Sequence, residues 1–190
     1  MGRRLILALT GASGSAFGVA ALKRMAAHPE VESVALLISP TGRRCLLDET
    51  GMKLEDLLAI SPKISPRSEQ NLGADIASGS YRQDGMAIVP CSAGALGRIA
   101  AGISEGLVSR AADVVLKERR PLVLCLRETP LNRIHLENML RVHDAGAIVM
   151  PLMPGWYSNP ADFEALFDTF ALRVMDQLGL PEEDPRRWKG

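Results

Sequence analysis

Aromatic side chains and surplus charge are both scarce in this chain of 190 residues. Lysine and arginine together number 22, as do aspartate and glutamate, so the formal net charge is zero. A general nucleic-acid or membrane-surface binder needs a basic surplus, and we therefore expect neither partner. Aromatic residues make up 4% of the chain, so each one in a glycine-rich or loop segment is a candidate for ligand contact.

Cysteine and long apolar runs are also in short supply. The three cysteines, Cys45, Cys91 and Cys125, are an odd number without CxxC spacing. This usage is typical of a reducing compartment rather than a disulfide scaffold, so we expect a cytoplasmic protein. The run Leu5–Leu9 is too short for the apolar region of a signal peptide. No run approaches the roughly 18 residues that cross a bilayer.

Short aliphatic runs that alternate with helical patterns predict a parallel sheet covered on both faces. The predicted strands are Arg3–Thr10, Ser33–Ile38, Met86–Pro90, Leu122–Leu126 and Ala147–Met150. The predicted helices are Ser15–Ala27, Thr41–Asp48, Ala93–Ala101, Glu105–Lys117, Leu131–Asp144 and Ala161–Leu178. We therefore expect one three-layer α/β domain over residues 1–180.

Two segments fall outside this alternation. Residues 60–84 contain two prolines and little periodicity, and a loop of that length in a compact domain is commonly functional. Residues 181–190 are polar, and we expect a C-terminal tail that is ordered only by packing in an oligomer. In a single copy such a tail frays unless Trp188 docks against the domain.

Small and hydroxyl residues follow the predicted strands, at the edge where open parallel sheets bind ligands. The turn Thr10-Gly-Ala-Ser-Gly-Ser15 offers backbone N–H groups to an anion. It has neither the lysine of a Walker A loop nor dinucleotide-fold spacing, which disfavours ATP and NAD. The turn Pro90-Cys-Ser-Ala-Gly94 has similar chemistry. Each turn alone fits an ordinary helix start, with Ser92 as its cap, but two together fit one phosphate-bearing ligand.

Positive charge is concentrated in residues 110–133, where six basic residues occur with three acidic ones. Helical spacing places Arg110 and Lys117 two turns apart on one face. We interpret Arg119 and Arg120 as a solvated helix end. The segment therefore supplies the local charge that phosphate binding requires.

Further candidates follow the last two predicted strands. Arg127 and Glu128 occupy a ligand-facing position after the fourth strand. Trp156 and Tyr157 lie in a glycine-proline turn after the fifth, and the tyrosine hydroxyl can donate to an anion. Arg173 lies in an otherwise apolar final helix and is either a paired surface charge or an oxyanion clamp.

Signatures of metal sites and hydrolases do not fit. His135-Leu-Glu137 is not HExxH, and the Cys91 turn lacks the second cysteine of zinc deaminases. Ser13 lies near the spacing of a nucleophile elbow, but no histidine and aspartate are placed to complete a triad. We expect no metal.

Together these motifs form a recognisable pattern. Its segments are Thr10-Gly-Ala-Ser-Gly14, Ser39 with Glu49, Ala77-Ser-Gly-Ser80, Pro90-Cys-Ser92, Arg110–Pro121, Arg127-Glu-Thr-Pro130, Ile134–Leu140, Pro154-Gly-Trp-Tyr157 and Arg173. Over nearly its whole length the sequence resembles the UbiX-type flavin prenyltransferases, formerly labelled aromatic-acid decarboxylases.

The resemblance implies a Rossmann-like or flavodoxin-like homo-oligomer, a dodecamer in this family, whose subunit interfaces complete each site. Members transfer a dimethylallyl group from its monophosphate to N5 and C6 of reduced FMN, and the prenylated FMN serves a UbiD-type decarboxylase. The residues then expected to bind FMN are Gly11, Ala12, Ser13, Ser39, Ser92, Ala93, Gly94 and Arg127. Those expected around the allylic phosphate are Ser78, Arg110, Lys117, Arg127, Tyr157 and Arg173. Trp156 and Trp188 are candidate aromatic walls for an allylic cation.

Four residues are predicted to act in catalysis. Lys117 stabilises the departing phosphate through charge-assisted hydrogen bonds, with no metal. Glu128 carries a proton to the phosphate or takes one during ring closure. Ser13 and Glu49 relay a proton near N5 of the flavin.

Two other functions stay open at this point. An FMN-dependent decarboxylase of the cysteine-decarboxylase type requires a catalytic histidine, and none of the three histidines follows a predicted strand directly. A non-catalytic flavin-binding or carrier protein requires the FMN turns but not Glu49, Lys117 or Glu128.

Overall fold

The computed structural model describes residues 2–188, which form a six-stranded sheet between two layers of helices. The strands are β1 Arg3–Leu9, β2 Val31–Ile38, β3 Ile64–Arg67, β4 Gly85–Cys91, β5 Leu122–Leu126 and β6 Ile148–Val149. All neighbours are parallel, in the order β3-β2-β1-β4-β5-β6. The predicted three-layer α/β fold is confirmed.

Within residues 2–188, seven α-helices connect and follow these strands. They are α1 Ser15–Ala27, α2 Pro40–Thr50, α3 Leu54–Leu58, α4 Ala93–Ala100, α5 Leu107–Lys117, α6 Arg133–Asp144 and α7 Phe163–Gln177. Side-chain caps explain several starts, because the cap oxygen accepts an N–H that has no partner inside the helix. Asp162 accepts from the N–H of Ala165 (2.8 Å), so α7 begins after Asp162 rather than at Ala161 as predicted.

The two faces of β1 contribute to separate apolar cores. Leu5, Leu7 and Leu9 pack in the cluster that includes residues of α1 and α7. Ile6 and Ala8 point to the opposite cluster, with residues of α4 and α5. Because both faces are covered, the strand reads as a continuous aliphatic run rather than an alternating one.

Close approach of helices to the central strands depends on two glycines. A Cβ at Gly18 in α1 would collide with the carbonyl oxygen of Val89, and one at Gly42 in α2 would lie 2.6 Å from the carbonyl oxygen of Leu9. Gly18 therefore serves helix packing. This packing keeps α1 and α2 against the crevice between β1 and β4, where the strand order reverses.

Residues 60–84 contain more regular structure than the sequence predicts. The segment forms the edge strand β3 and a 3-10 turn at Asp75–Ala77. Pro66 within β3 hid the strand, since proline has no N–H to donate to a neighbouring strand and interrupts the usual pattern. Arg67 then donates to both carboxylate oxygens of Asp75 (2.8 and 2.7 Å), which fixes the turn to the strand.

The C-terminal tail contacts its own domain through ion pairs as far as it is described. Arg24 in α1 pairs with Asp168 in α7 (2.6 Å) and with Asp184 in the tail (3.3 Å). The ring of Trp188 lies edge-on to Tyr157, with centroids 6.0 Å apart. The boundary at residue 180 and the contribution of oligomer packing stay predictions, and the last two residues lie outside the described part.

Among residues 2–188, no helix combines the length and hydropathy needed to cross a membrane.

Candidate active site

The two small-residue turns meet at the carboxyl ends of β1 and β4. The backbone N–H and the hydroxyl of Thr10 both donate to the carbonyl oxygen of Pro90 (3.1 and 2.9 Å). The N–H of Ser92 in turn donates to Oγ1 of Thr10 (2.8 Å). A single threonine therefore ties the two turns into one crevice at the point where open α/β sheets bind ligands.

Helices α2 and α4 begin at this crevice with serine caps. Ser39 Oγ accepts from the N–H of Gly42 (3.0 Å), and Ser92 Oγ accepts from that of Ala95 (3.2 Å). Both hydroxyls thus act as ordinary caps, which was the alternative interpretation for Ser92. Each still has a proton to donate, and the positive helix ends favour an anion nearby.

Cys91, between these elements, is not a nucleophile. The side chain is fully buried, and burial raises the pKa of its thiol to about 12. The thiol therefore stays protonated and packs as a small apolar group.

The side chain of Glu49, a residue of α2, lies at the N-terminus of α1. Its carboxylate accepts from the backbone N–H groups of Gly14 (2.9 Å) and Ser15 (2.8 Å). Partial burial opposes ionisation, but these N–H donors and the hydroxyls of Ser13 and Ser15 outweigh it and lower the pKa of Glu49. The structure therefore brings the predicted pair Ser13 and Glu49 together. Glu49 thereby occupies the positive N-terminal end of α1, which could otherwise bind an anion from outside the chain.

Arg127 and Glu128 follow β5 at the same edge. The N–H of Arg127 donates to the carbonyl oxygen of Cys91 (2.9 Å), which sets the residue beside the α4 turn. Both side chains are exposed and line a cavity of about 470 Å³ with Met153. Within residues 2–188 the guanidinium of Arg127 has no hydrogen bond or ion pair, so it is available to an anion.

Tyr157 and Arg173 line an adjoining cavity of about 250 Å³. Met153 borders both cavities, so the two are neighbours. Arg173 also pairs with Asp176 (3.1 Å), which fits its interpretation as a paired surface charge, whereas its role as an oxyanion clamp stays a prediction. Tyr157 is 57% exposed and open to a ligand from outside the chain.

The carboxyl edge of the sheet thus carries most of the predicted site. All eight residues expected to bind FMN lie there: Gly11, Ala12, Ser13, Ser39, Ser92, Ala93, Gly94 and Arg127. Two positive helix ends, an unpaired guanidinium and a crevice without bulky side chains fit a planar ligand with a phosphate, such as FMN.

Lys117 lies at the opposite edge of the sheet from the crevice, where the strands have their amino ends. Helix α5 starts near the carboxyl edge, where the carbonyl oxygen of Glu69, just after β3, accepts from the N–H of Leu107 (2.9 Å). Eleven residues carry α5 about 16 Å along the sheet. Lys117 therefore ends beside Pro121 and Gly146, just before β5 and β6.

Ser78 and Arg110 belong to the same group as Lys117. Arg110 donates through Nε to the carbonyl oxygen of Ala77 (3.1 Å), next to Ser78. Among the described residues, no hydrogen bond joins this group to the turn after β1 or to Arg127. One chain therefore presents two partial sites, and a site containing all the predicted residues requires a second copy.

Carboxylates accompany both cations of the partial site that contains Lys117, and sequence reasoning did not assign them. Arg110 pairs with Asp113 (2.8 Å), and Lys117 pairs with the adjacent Glu118. The ion pair with Lys117 lowers the pKa of Glu118. The three-residue spacing of Arg110 and Asp113 on a helix is the signal that could have found such a pair.

Histidines and metal ligands make no site in the described part of the chain. No group of three His, Cys, Asp or Glu side chains is arranged to hold an ion within residues 2–188. Nδ1 of His28 accepts from the N–H of Glu30 (3.2 Å), and His135 belongs to the capping box of α6. Both histidines have structural contacts.

Known proteins resemble this chain over nearly its whole length. The profile of the flavoprotein family matches residues 1–170. Flavin prenyltransferase UbiX of Deinococcus radiodurans is 44% identical over 186 residues, covering 98% of this chain and 93% of the relative.

Solved structures of the same type also resemble this chain. A dodecameric FMN-dependent UbiX-like decarboxylase from Escherichia coli O157:H7 has a TM-score of 0.92 at 41% identity, covering 98% of this chain and 100% of that one. AnUbiX (PadA1), in complex with FMN and dimethylallyl pyrophosphate, has a TM-score of 0.87 at 38% identity, covering 100% and 99%. A cysteine decarboxylase, TvaF, is 14% identical with a TM-score of 0.66 and shares the fold alone.

With this coverage and identity, and with the crevice between β1 and β4 formed by the residues of the pattern, the chain belongs to the flavoprotein family and, within it, to the UbiX-type flavin prenyltransferases.

Proposed function

We propose that this protein transfers a dimethylallyl group from dimethylallyl monophosphate to reduced FMN, and that the prenylated FMN serves a UbiD-type decarboxylase. The observation that carries the proposal is the crevice joined by Thr10, with the ionised Glu49 on one side and the unpaired Arg127 on the other. The family relationship adds the type of reaction.

FMN binding is assigned to the carboxyl edge. The starts of α2 and α4 and the guanidinium of Arg127 supply positive charge for the phosphate and donors for the ring system. Ser13 and Glu49 lie in hydrogen-bond contact and are proposed to hold or move a proton at flavin N5.

The donor phosphate must leave with the electron pair of the carbon–oxygen bond that breaks. Lys117, Arg127 and Arg173 are proposed to stabilise that charge, with a hydrogen bond from Tyr157. Glu128 is the proposed proton carrier for the phosphate. New bonds form from the dimethylallyl group to N5 and C6. N5 and C6 each give up a proton, and one proton adds to the dimethylallyl double bond, whose other carbon forms the bond to C6. This leaving-group chemistry uses side chains and needs no metal.

Assembly is part of the proposed function because the two partial sites lie at opposite edges of one chain. Helix α6 also leaves an apolar surface exposed, with Ile134 at 65%, Leu136 at 52% and Leu140 at 60%. Exposed apolar surface of this kind marks a protein interface. A dodecamer like that of the E. coli O157:H7 protein would cover such faces and bring Lys117 of one copy to the crevice of another.

A cytoplasmic location completes the proposal. Cys45, Cys91 and Cys125 are all free thiols in the fold, and two of them are buried. A reducing compartment suits such cysteines.

The direct test is the mass of the flavin product. Purified protein, FMN, a strong reductant and dimethylallyl monophosphate should yield a flavin heavier by one five-carbon unit. A parallel reaction with the diphosphate tests the donor. An unchanged flavin mass, with bound FMN confirmed by absorbance, would contradict the proposal.

A further inference from the structure

Two adjacent arginines after α5 have different roles, although their sequence context is the same. Arg120 is partly buried and donates through its two terminal nitrogens to the carbonyl oxygens of Gly79 (3.1 Å) and Tyr81 (3.2 Å). Arg119 is exposed, and its side chain has no hydrogen bond or ion pair within residues 2–188. The interpretation of both as a solvated helix end is therefore wrong for Arg120.

The bond from Arg120 sets which way the loop of residues 78–81 faces. In a trans peptide the carbonyl and the following N–H point in opposite directions, so the Gly79 carbonyl on Arg120 turns the N–H of Ser80 away from it. That N–H donates to Oγ of Ser78 (3.4 Å), and the hydroxyls of Ser78 and Ser80 form a hydrogen bond with each other (2.8 Å). The outer side of the loop thus presents two serine hydroxyls as donors, of which one donates to the other and the second keeps its proton for an acceptor such as a phosphate.

The same bond places these donors beside the ammonium group of Lys117. A Cβ at Gly79 would collide with both Lys117 and Glu118, so the loop backbone lies directly against this ion pair. The other end of the loop is fixed by Arg110, which donates to the carbonyl oxygen of Ala77 (3.1 Å). Arg120 and Arg110 together define where the Ser78 hydroxyl lies relative to Lys117.

We infer that Arg120 is a positioning residue for the prenyl donor: it holds the carbonyls of Gly79 and Tyr81 so that the loop presents Ser78 to the donor phosphate beside Lys117. The inference rests on the proposed function. A planar guanidinium can bridge two carbonyls at once, whereas a lysine ammonium on a flexible stem holds one geometry less firmly.

The test compares R120Q with the matched control R119Q in the flavin-mass reaction, with thermal unfolding and oligomer size measured on each variant. The donor KM is measured at saturating reduced FMN, and the FMN KM at saturating donor. For R120Q we expect the donor KM to rise about tenfold, the effect of losing about 1.4 kcal/mol of binding free energy. The FMN KM should stay within about twofold, and R119Q should match the wild type in both.

R120K provides a second measurement if R120Q does not fold. Its donor KM should lie between the wild-type value and ten times that value. A donor KM in R120Q, or in R120K, equal to that of R119Q would overturn the inference. Parallel rises in both KM values would also overturn it, since they indicate a general structural role. Absence of product with wild-type protein would instead refute the proposed function itself.

Discussion

Ionised carboxylates next to backbone N–H groups determine much of the chemistry at the crevice. Glu49 holds the start of α1 and shares a hydrogen bond with Ser13, so one residue combines a structural and a proposed catalytic role. Its neighbour Asp48 faces the other way and pairs with Arg44 on the surface (3.4 Å). Comparing substitutions at Glu49 and Asp48 therefore distinguishes the effect of removing a negative charge from this region from the effect of losing the contacts of Glu49 at the crevice.

Glu49→Gln should lower both stability and product formation. Losing the negative charge at a helix N-terminus costs about 1 kcal/mol, measurable by denaturant unfolding. The lowered pKa means that this stabilisation is fully present above the unfolded-state pKa of about 4.3 and is lost as pH falls through the folded-state pKa. The stability difference from wild type should therefore shrink below about pH 4. D48N should behave as wild type, and an equal loss in D48N would contradict the role of Glu49.

Glu128→Gln should slow prenylation by about a hundredfold or more, since a positioned proton carrier contributes at least that much. FMN binding, followed by flavin absorbance, should be unchanged because the Glu128 side chain is exposed and, among the described residues, accepts only from the N–H of Thr129 (3.0 Å). Product formation at the wild-type rate would remove Glu128 from the catalytic set.

Ion pairs hold the C-terminal tail against α7. The sequence predicts this tail only as a polar segment. Arg186 in the tail pairs with Asp168 in α7 (2.7 Å), which also pairs with Arg24 in α1. Partial burial opposes the charge on Asp168, but hydrogen bonds from Arg24 and Arg186 outweigh it and lower its pKa. The tail lies along the domain through this cluster.

Asp168→Asn should loosen the tail. Trypsin cleavage after Arg186 and Arg187 should accelerate about tenfold, as expected when roughly 1.4 kcal/mol of local stability is lost. Because the pKa of Asp168 is lowered, the contacts persist at neutral pH and are lost only as pH falls through that value. Glu164→Gln, on the same helix and in an exposed pair with Lys23 (3.6 Å), is the control. Equal cleavage of both variants would contradict the role of Asp168 in holding the tail.

Helices and strands that are marked by local sequence features were predictable from the sequence, whereas features that depend on distant parts of the chain were not. The bounds of α1 and β5 match the sequence prediction residue for residue, because a glycine turn and unbroken aliphatic runs mark them. β3 escaped prediction because its four residues pair with β2 alone and include Pro66. The difference between Arg119 and Arg120 also escaped, since it depends on carbonyls some forty residues away in the chain.

At the scale of the whole molecule, the sheet separates the proposed donor group from the flavin crevice. Chain order gave no hint of this, because Lys117 and Arg127 are ten residues apart in sequence. β5 lies between them and carries the chain from one edge of the sheet to the other. The sequence motifs identify the parts of the site, whereas only the topology reveals that one copy cannot join them.

Mixed assemblies should therefore regain activity lost by each variant alone. Lys117→Ala and Arg127→Ala should each abolish most product formation. Co-assembled at equal amounts, they should give roughly a quarter of wild-type activity, because random mixing around heterologous interfaces leaves that share of sites with both residues. The mass of the flavin product measures this. Mixtures no more active than the separate variants would contradict a shared site.

The opposite placement of Lys117 and Arg127 also has a genetic consequence. In the proposed assembly, each copy completes its own crevice with a neighbour's lysine and lends its own lysine elsewhere. A chain that carries both substitutions spoils two sites at once, so its gene should act dominantly over the wild-type gene in the same cell. Loss of function would then increase faster than the fraction of altered chains.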